Sequence, residues 1–478
     1  MKFIYGLSAM ALGILIIACA CSKGTSETQI TSIEPVKTEV NFWLTKGDKS
    51  ALLKKQNIAL NFSEYTNSNP TIEIDPNTTF QSIDGFGYTL TGGSATLINA
   101  LPAADRDKLL NELFSTADDA ISVTYLRISI GASDLSASSF TYNDLPDGET
   151  DETLAKFSIA REQADLIPIL KKIIAINPDI KILGSPWTAP VWMKTNKSFI
   201  GGSLKSEYYQ TYANYLVKYI QAMKAEGIAI DAITPQNEPL HPGNNPSMFM
   251  EALDQAKFVK NALGPAFKAA GLSTKIIIYD HNADKPEYPI TILNDADAKK
   301  YINGSAFHLY AGNISALTQV HNAHPDKNIY FTEQWVGGPS NFGEDLKWHV
   351  TNLIIGATRN WSKNVLEWNL AADPNYNPHT DKGGCTNCLG AVTIAPEISR
   401  NVAYYVIAHA SKFVKPGSVR IASNIISNLQ NVAFKTPEGK NVLIVCNNNM
   451  DDAIFNIKYN GKMVTITIEK GAVGTFVW

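Results

Sequence analysis

The alternation of short apolar runs with helical stretches after Ser82 constrains the fold of this chain more than any other feature of its sequence. Eight runs rich in β-branched and aromatic residues each precede a segment whose apolar residues have helical spacing, the pattern of βα units around a parallel sheet. Eight such units close a barrel. The predicted strands are residues 83–88, 123–130, 180–185, 232–236, 275–279, 305–310, 329–332 and 365–369, and the clearest predicted helices are 159–176, 207–226, 249–270 and 344–360.

The pattern changes after a last predicted helix at residues 396–412. Short alternating strands then follow one another, separated by Asn and Gly turns, which is typical of an antiparallel β module. Residues 40–74 also have strand and turn character, so we expect them to join the C-terminal strands. The predicted fold is α/β, a (β/α)8 TIM barrel with a β-sandwich side domain built from N- and C-terminal segments. The predicted boundaries are 39–81 for the N-terminal sandwich strands, 82–412 for the barrel and 413–478 for the C-terminal strands.

The N-terminus has the features of an export signal. Lys2 opens residues 1–21, whose apolar core is too short for a stable transmembrane helix. The residues before Cys19 resemble the bacterial lipoprotein box, with Cys21 as the alternative lipidation site and a plain signal peptide as the alternative processing. The polar residues 22–38 then serve as a tether. We expect an exported protein, lipid-anchored to the bacterial outer membrane at the cell surface or in the periplasm.

The charge balance argues against a nucleic-acid partner. The 41 basic and 45 acidic side chains leave a formal charge of -4, and no Lys/Arg run occurs. No Gly-rich phosphate loop or cluster of metal ligands is evident, so no cofactor is expected. The oligomeric state is left open by the sequence.

The cysteines of the mature chain suggest one local crosslink. Cys385 and Cys388 form a C-x-x-C in a Gly-rich loop, a spacing found in zinc sites, redox sites and local disulfides. No further zinc ligands lie in that loop, and an exported protein meets an oxidising compartment, so a disulfide is expected. Cys446 lies in an apolar run and is expected to be a buried free thiol.

Two glutamates follow predicted barrel strands. Glu238 follows the fourth strand and Glu333 the seventh, and barrel enzymes place their chemistry at these carboxyl ends. Three βα units separate them, so the two acids should face each other across the mouth. A retaining glycosidase needs such a pair, with one carboxylate as the nucleophile and the other kept protonated by a raised pKa. Capping of helix-start amides is the structural alternative for either residue.

Five motifs carry a resemblance to a known family. The motifs are Gly184-Ser185-Pro186-Trp187-Thr188-Ala189-Pro190, Gln236-Asn237-Glu238-Pro239, Phe307-His308-Leu309-Tyr310, Phe331-Thr332-Glu333 and Glu367-Trp368-Asn369-Leu370-Ala371. With these motifs the chain resembles glycoside hydrolase family 30, the glucosylceramidase and β-1,6-glucanase group, over most of the mature sequence. The resemblance implies a barrel with a β-sandwich, Glu238 as acid/base and Glu333 as nucleophile.

The same resemblance implies the substrate-binding residues, which are Arg127, Asp134, Trp187, Asn237, His308, Tyr310 and Trp368. Arg127 would brace Glu333 and keep it ionised, and Tyr310 would hydrogen-bond the same carboxylate. Asp134 would bind glucose hydroxyls, with helix capping as its alternative. Neither His308 nor Tyr310 is expected to bind a metal, since no second ligand stands at ligand spacing.

The expected substrate is β-1,6-glucan, cleaved by double displacement. Thr91-Gly92-Gly93 and the loop around Cys385 depart from the lipid-cleaving members of the family, and both changes are expected near the sugar cleft. Glucosylceramide and xylan or β-xylosides are the alternatives within the enzyme class. A non-catalytic glycan-binding lipoprotein is the alternative outside it, although such a protein usually lacks one of the paired acids.

Overall fold

Eight parallel strands close a barrel, each hydrogen-bonded to the next one along the chain and the last to the first. The computed structural model describes residues 37–478, so the predicted signal peptide 1–21, nearly all of the tether 22–38, Cys19 and Cys21 lie outside the described residues. The barrel strands are Gly85–Thr89, Tyr125–Ser129, Lys181–Ser185, Ala232–Ile233, Lys275–Ala283, Ile302–Gly312, Asn328–Glu333 and Ser362–Asn369.

The helices pack outside the barrel, where an apolar core joins them to the strands. The α-helices are Gly92–Ala100, Ala103–Phe114, Leu166–Ile176, Tyr209–Ala225, Ala252–Phe258, Gly264–Ala269, Glu287–Asn294, Ala296–Lys299, Ala316–Ala323, Phe342–His349 and Val402–Ser411. Two π-helical turns, Val259–Leu263 and Val350–Ala357, and three 3-10 turns, Ala160–Gln163, Val191–Met193 and Ser206–Tyr208, complete the helical segments. None of the helices between residues 37 and 478 is long and apolar enough to cross a membrane.

Seven side chains fill the inside of the barrel. They come from the second to the eighth strands and are Tyr125, Leu183, Ala232, Ile277, Ala306, Tyr330 and Leu366. This packed layer makes the barrel interior a core rather than a channel.

The chain ends form a second layer of structure. Nine strands make one sheet, in the order Lys54–Lys55, Asn41–Thr45, Val473–Val477, Asn441–Asn447, Leu429–Lys435, Val419–Ser423, Thr71–Ser82, Ala453–Tyr459 and Lys462–Ile468. The sheet folds over its own apolar core, in which Phe455 packs edge-on against Phe476 at 6.2 Å. The buried imidazole of His409 joins this sandwich to the barrel side, because it hydrogen-bonds Thr45 and Thr475, each at 2.8 Å. The predicted barrel with a sandwich from both chain ends is confirmed.

Several elements are shorter than predicted. The helix predicted at 159–176 begins at Leu166, the one predicted at 396–412 begins at Val402, and prolines interrupt two other elements. The strand predicted at 232–236 ends at Ile233, since Pro235 has no N–H to donate to a neighbouring strand. The helix predicted at 249–270 is divided by the turn Val259–Leu263, because Pro265 cannot donate to the carbonyl four residues earlier.

Candidate active site

The loop after the fourth barrel strand holds Glu238 in a strained backbone conformation. Glu238 has a φ of 45°, a left-handed value that costs about 1–3 kcal/mol in a non-glycine residue. Neighbouring loops hold it there, since the Glu238 N–H donates to the Asp280 carbonyl at 3.0 Å and the Asn237 N–H to the Pro186 carbonyl at 2.8 Å. This strain fixes the direction of a carboxylate that is 7% exposed.

Glu333 is the last residue of the seventh barrel strand and is also buried. Its Oε2 accepts a hydrogen bond from Arg127 at 2.5 Å, and its Oε1 accepts one from the Tyr310 hydroxyl at 2.8 Å. Charge-assisted bonds of this kind favour an ionised carboxylate. The two contacts predicted from the family resemblance are therefore present.

Arg127 joins four groups from different strands beneath the mouth. Besides Glu333, it donates to Asn237 Oδ1 at 2.6 Å, to Asp280 Oδ2 at 2.8 Å and to Ser185 Oγ at 3.2 Å. Arg127 and Asp280 are fully buried, so each compensates the charge of the other. Burial opposes ionisation of Asp280, but the Arg127 charge and the bonds from His308 and Thr332 hold the pKa of Asp280 far below its usual value.

His308 bridges the two predicted catalytic glutamates. Its Nδ1 lies 3.1 Å from Glu238 Oε1 and 3.7 Å from Glu333 Oε1, so these two oxygens are no more than about 6.8 Å apart. Its Nε2 lies 3.1 Å from Asp280 Oδ1. Burial alone would lower the pKa of His308, but the surrounding carboxylates, Glu333 first, raise it to about 9.

The pKa directions of the glutamates differ from the sequence-based expectation. Burial opposes ionisation of Glu238, yet the imidazoles of His281 and His308 outweigh it and hold the pKa of Glu238 well below its usual range. Burial raises the pKa of Glu333 and the Glu238 charge adds to the rise, although His308 and Arg127 oppose it. In the free site the pKa of Glu238 is therefore lowered and not raised, because His308 and His281, of which the sequence analysis named only His308, both lie beside it.

A cavity of about 520 Å³ opens onto both glutamates. Its lining residues are Asp134, Trp187, Glu238, His241, Asn244, Asn282, Tyr310, Glu333, Trp335, Trp368, Gly383, Gly384, Cys385 and Cys388. Six of the nine predicted catalytic and substrate-binding residues are in this lining, whereas Arg127, Asn237 and His308 lie behind it. Thr91, Gly92 and Gly93 do not line the cavity, and Thr91 instead caps a helix by accepting from the Ser94 N–H at 3.0 Å.

The inner wall presents polar groups beside aromatic rings. Trp187 and Trp368 stack with their centroids 5.3 Å apart. Asp134 Oδ1 and Trp187 Nε1 are buried without a hydrogen-bond partner in the described part of the chain. Burial and the charges of Glu333 and Glu238 raise the pKa of Asp134 to about 8, so it is largely a neutral acid at pH 7. A sugar that stacks on the rings can supply partners for these unpaired groups.

A disulfide forms part of the cavity wall. Cys385 is bonded to Cys388, and the strand Cys388–Leu389 pairs with Val336–Gly337 after the seventh barrel strand. Both cysteines pack with Trp187 and Trp368. Cys446 is buried and free, as expected.

Sequence reasoning missed Asp280 and His281. Both follow the fifth predicted strand directly, so the rule that selected Glu238 would have selected them as well. The sequence also showed no second ligand at ligand spacing from His308, whereas in space His281 and Glu238 lie close to it. The distance along the chain concealed this cluster.

Comparison with known proteins identifies the family. Residues 83–414 match the glycosyl hydrolase family 30 TIM-barrel domain, and residues 417–476 match the β-sandwich domain of the same family. The chain belongs to glycosyl hydrolase family 30. It is a glycoside hydrolase of a retaining family, which confirms the predicted family and enzyme class.

Three relatives illustrate the range of this family. An endo-1,6-β-D-glucanase of Neurospora crassa is 35% identical over 422 residues, 84% of this chain and 84% of the relative. The lysosomal acid glucosylceramidase of Mus musculus is 26% identical over 503 residues, 98% of this chain and 94% of the relative. The solved structure of the endo-β1,6-glucanase BT3312 has a TM-score of 0.86 and 38% identity, covering 92% of this chain and 99% of that one.

Proposed function

We propose that this family 30 enzyme hydrolyses β-1,6-linked glucan with retention of configuration, with Glu333 as nucleophile and Glu238 as acid/base. The observation that carries the proposal is the pair of glutamates on one cavity, bridged by His308 and backed by Arg127. Retaining glycosidases hold their two carboxyl groups about 5–5.5 Å apart. The limit of about 6.8 Å between the two Oε1 atoms accommodates that separation.

The first step forms a covalent glycosyl ester. Glu333 attacks the anomeric carbon, the bond to the glycosidic oxygen breaks, and Glu238 gives that oxygen a proton. Water then attacks the anomeric carbon from the face that the leaving group occupied, Glu238 takes a proton from the water, and the bond between the anomeric carbon and Glu333 breaks, which frees the carboxylate. Asn237 Oδ1 is held by Arg127, so its NH2 group is available to the sugar 2-hydroxyl.

His308 holds a proton beside Glu238 in the free site. The His308 Nδ1 and Glu238 Oε1 atoms are 3.1 Å apart, and the raised pKa of His308 keeps a proton on the imidazole in the free site. Glu333 meanwhile keeps its bonds from Arg127 and Tyr310, which favour the carboxylate.

Two observations favour glucan over glucosylceramide. The two glucanases are 35% and 38% identical to this chain, whereas the glucosylceramidase is 26% identical. Of the large apolar side chains that residues 37–478 expose, Tyr310 alone lines the cavity. The acyl chains of a ceramide would require a broader apolar surface at the mouth.

We also propose that the chain is exported and lipid-anchored at Cys19 or Cys21, with residues 22–38 as the tether. The support is the short apolar N-terminal segment with a small residue before each cysteine. Mass spectrometry of the mature N-terminus from membrane fractions tests this. A lipidated cysteine as the first residue is expected, and an unmodified N-terminus in the soluble fraction would contradict it.

Variants of the two glutamates test the catalytic roles. Glu333→Ala should abolish turnover of every substrate, because no nucleophile remains. Glu238→Ala should still cleave aryl β-glucosides whose leaving groups need no proton, and added azide should give a β-glucosyl azide. Glu162→Gln is the matched control, since Glu162 is buried with a pKa raised to about 7 but does not line the cavity. Formation of a β-glucosyl azide by Glu333→Ala, together with loss of all aryl glucoside cleavage in Glu238→Ala, would reverse the assignment.

A substrate panel tests the linkage separately. Pustulan, laminarin, xylan and glucosylceramide in detergent should be compared by kcat/KM and product size. We expect the highest value for pustulan. A clearly higher value for glucosylceramide would refute the glucan proposal and leave the glutamate roles intact.

A further inference from the structure

Three buried side chains beside the cavity place their ligand atoms close enough together to bind one metal ion. One ligand atom each from Glu238, His281 and His308 lies within 4.8 Å of the other two. Glu238 Oε1 is 3.1 Å from His308 Nδ1 and 3.7 Å from His281 Nδ1. Ligands about 2.0–2.1 Å from a tetrahedral zinc ion stand about 3.4 Å from one another. The separations of 3.1 and 3.7 Å lie on either side of that spacing.

His281 Nδ1 provides a second, independent observation. This atom is buried, the residue is 6% exposed, and no hydrogen-bond partner for it exists among the described residues. An unpaired buried nitrogen costs free energy, so a ligand that pairs with it is favoured. The backbone is irregular at this point, because Tyr279 and Asp280 have φ values of 75° and 62° and the strand register shifts between Tyr279 and His281. This irregularity lets Asp280 and His281, which are consecutive, both face the cluster.

Asp280 orients His308 in the manner of a zinc site. His308 Nε2 lies 3.1 Å from Asp280 Oδ1, and Asp280 is itself held by Arg127 and Thr332. Metal-bound histidines typically donate their other ring N–H to a carboxylate in this way. The arrangement leaves Nδ1 of His308 as the nitrogen that faces Glu238.

We propose that Glu238, His281 and His308 form a binding site for a divalent transition-metal ion, and that the bound ion reversibly inhibits the enzyme. Two imidazoles and one carboxylate suit Zn²⁺, Cu²⁺, Ni²⁺ or Co²⁺ rather than Ca²⁺ or Mg²⁺, which prefer oxygen ligands. Glu238 lines the cavity, so the fourth position of the ion is open to water. Inhibition rests on the proposed role of Glu238, because a metal-bound carboxylate cannot donate a proton.

Titration of the chelator-treated full-length protein with Co²⁺ tests the site without turnover. Visible absorption should report one tetrahedral ion per chain, and Zn²⁺ should displace it. His281→Ala and His281→Asn should each raise the Kd for Co²⁺ at least about ten-fold. The matched control is His321→Ala, a histidine stacked on Trp361 in the helix Ala316–Ala323, which should bind Co²⁺ as the unmodified protein does.

Hydrolysis of an aryl β-glucoside is measured in parallel. Zn²⁺ should inhibit over the concentration range in which it displaces Co²⁺, and a chelator should restore the rate. Absence of stoichiometric Co²⁺ binding, or equal binding by a folded His281→Asn variant, would refute the site. Stoichiometric binding without inhibition would refute the inhibitory role. If no glycoside is hydrolysed, the function proposal fails while the absorption titration still decides the metal site.

Discussion

Replacing Asp134 by Asn should stabilise the fold while weakening the enzyme. The pKa of Asp134 is raised from 3.8 to about 8, first by burial and then by Glu333 and Glu238. The folded state therefore binds this proton more tightly than the unfolded state does. The contribution of Asp134 to the free energy of unfolding is fully present below pH 3.8, and it is lost as the pH rises towards about 8.

The size of this loss of stability follows from the difference between the two pKa values of Asp134, 3.8 and about 8. Each pH unit between the two pKa values costs about 1.4 kcal/mol, so the loss at pH 7 reaches about 4 kcal/mol as an upper limit. An amide has no ionisation cost of this kind, but burying it still costs free energy. We therefore expect Asp134→Asn to raise the free energy of unfolding by about 2 kcal/mol at pH 7. The gain should be near zero at pH 4 and constant above pH 8.

Thermal denaturation of both proteins across this pH range measures the difference. The Tm of Asp134→Asn should exceed that of the unmodified protein by a few degrees at pH 7, and the gap should shrink as the pH falls. A difference that does not depend on pH, or a lower Tm for the variant at pH 7, would refute the burial argument.

Three other substitutions probe the cavity. Asp134→Ala should lower kcat/KM about a hundred-fold, or about 3 kcal/mol, because sugar hydroxyls lose their partner; a loss below ten-fold on aryl β-glucosides would contradict this. Arg127→Lys should lower kcat at least about a hundred-fold, since a lysine cannot hold Glu333 and Asp280 together, and near-normal kcat would argue against the bracing role. Cys385→Ser with Cys388→Ser should raise KM for glucan more than it lowers kcat, whereas Cys446→Ser, which changes a thiol remote from the cavity, should leave KM unchanged.

Much of the site could be predicted because barrel chemistry follows strand order. Glu238 and Glu333 each come directly after an apolar run, and the barrel places such positions at one rim. Arg127 lies inside the second strand, yet the family motif identified it. The order of the strands therefore already predicts that these side chains meet at one end of the barrel.

Strand order places Asp280 and His281 at the same rim, but the contacts that these residues make there depend on backbone geometry that no local pattern carries. Asp280 and His281 share one cluster because two non-glycine residues adopt positive φ, and nothing in the sequence around Tyr279 marks that kink. Gly383 approaches the Gly243 carbonyl so closely that an added Cβ would lie 2.8 Å from it, across two distant loops. The lowered pKa of Glu238 likewise follows from long-range contacts, here with the imidazoles of His281 and His308.

Covalent trapping tests the central claim most directly. A 2-deoxy-2-fluoro-β-glucoside with a good leaving group should accumulate as a glycosyl ester, because the fluorine slows both steps and the leaving group keeps the first one fast. Peptide mass spectrometry should find one label per chain, on the peptide that contains Glu333. A label on Glu238, or turnover to an α-configured product with no labelled peptide, would contradict the double-displacement mechanism and the roles proposed for the two glutamates.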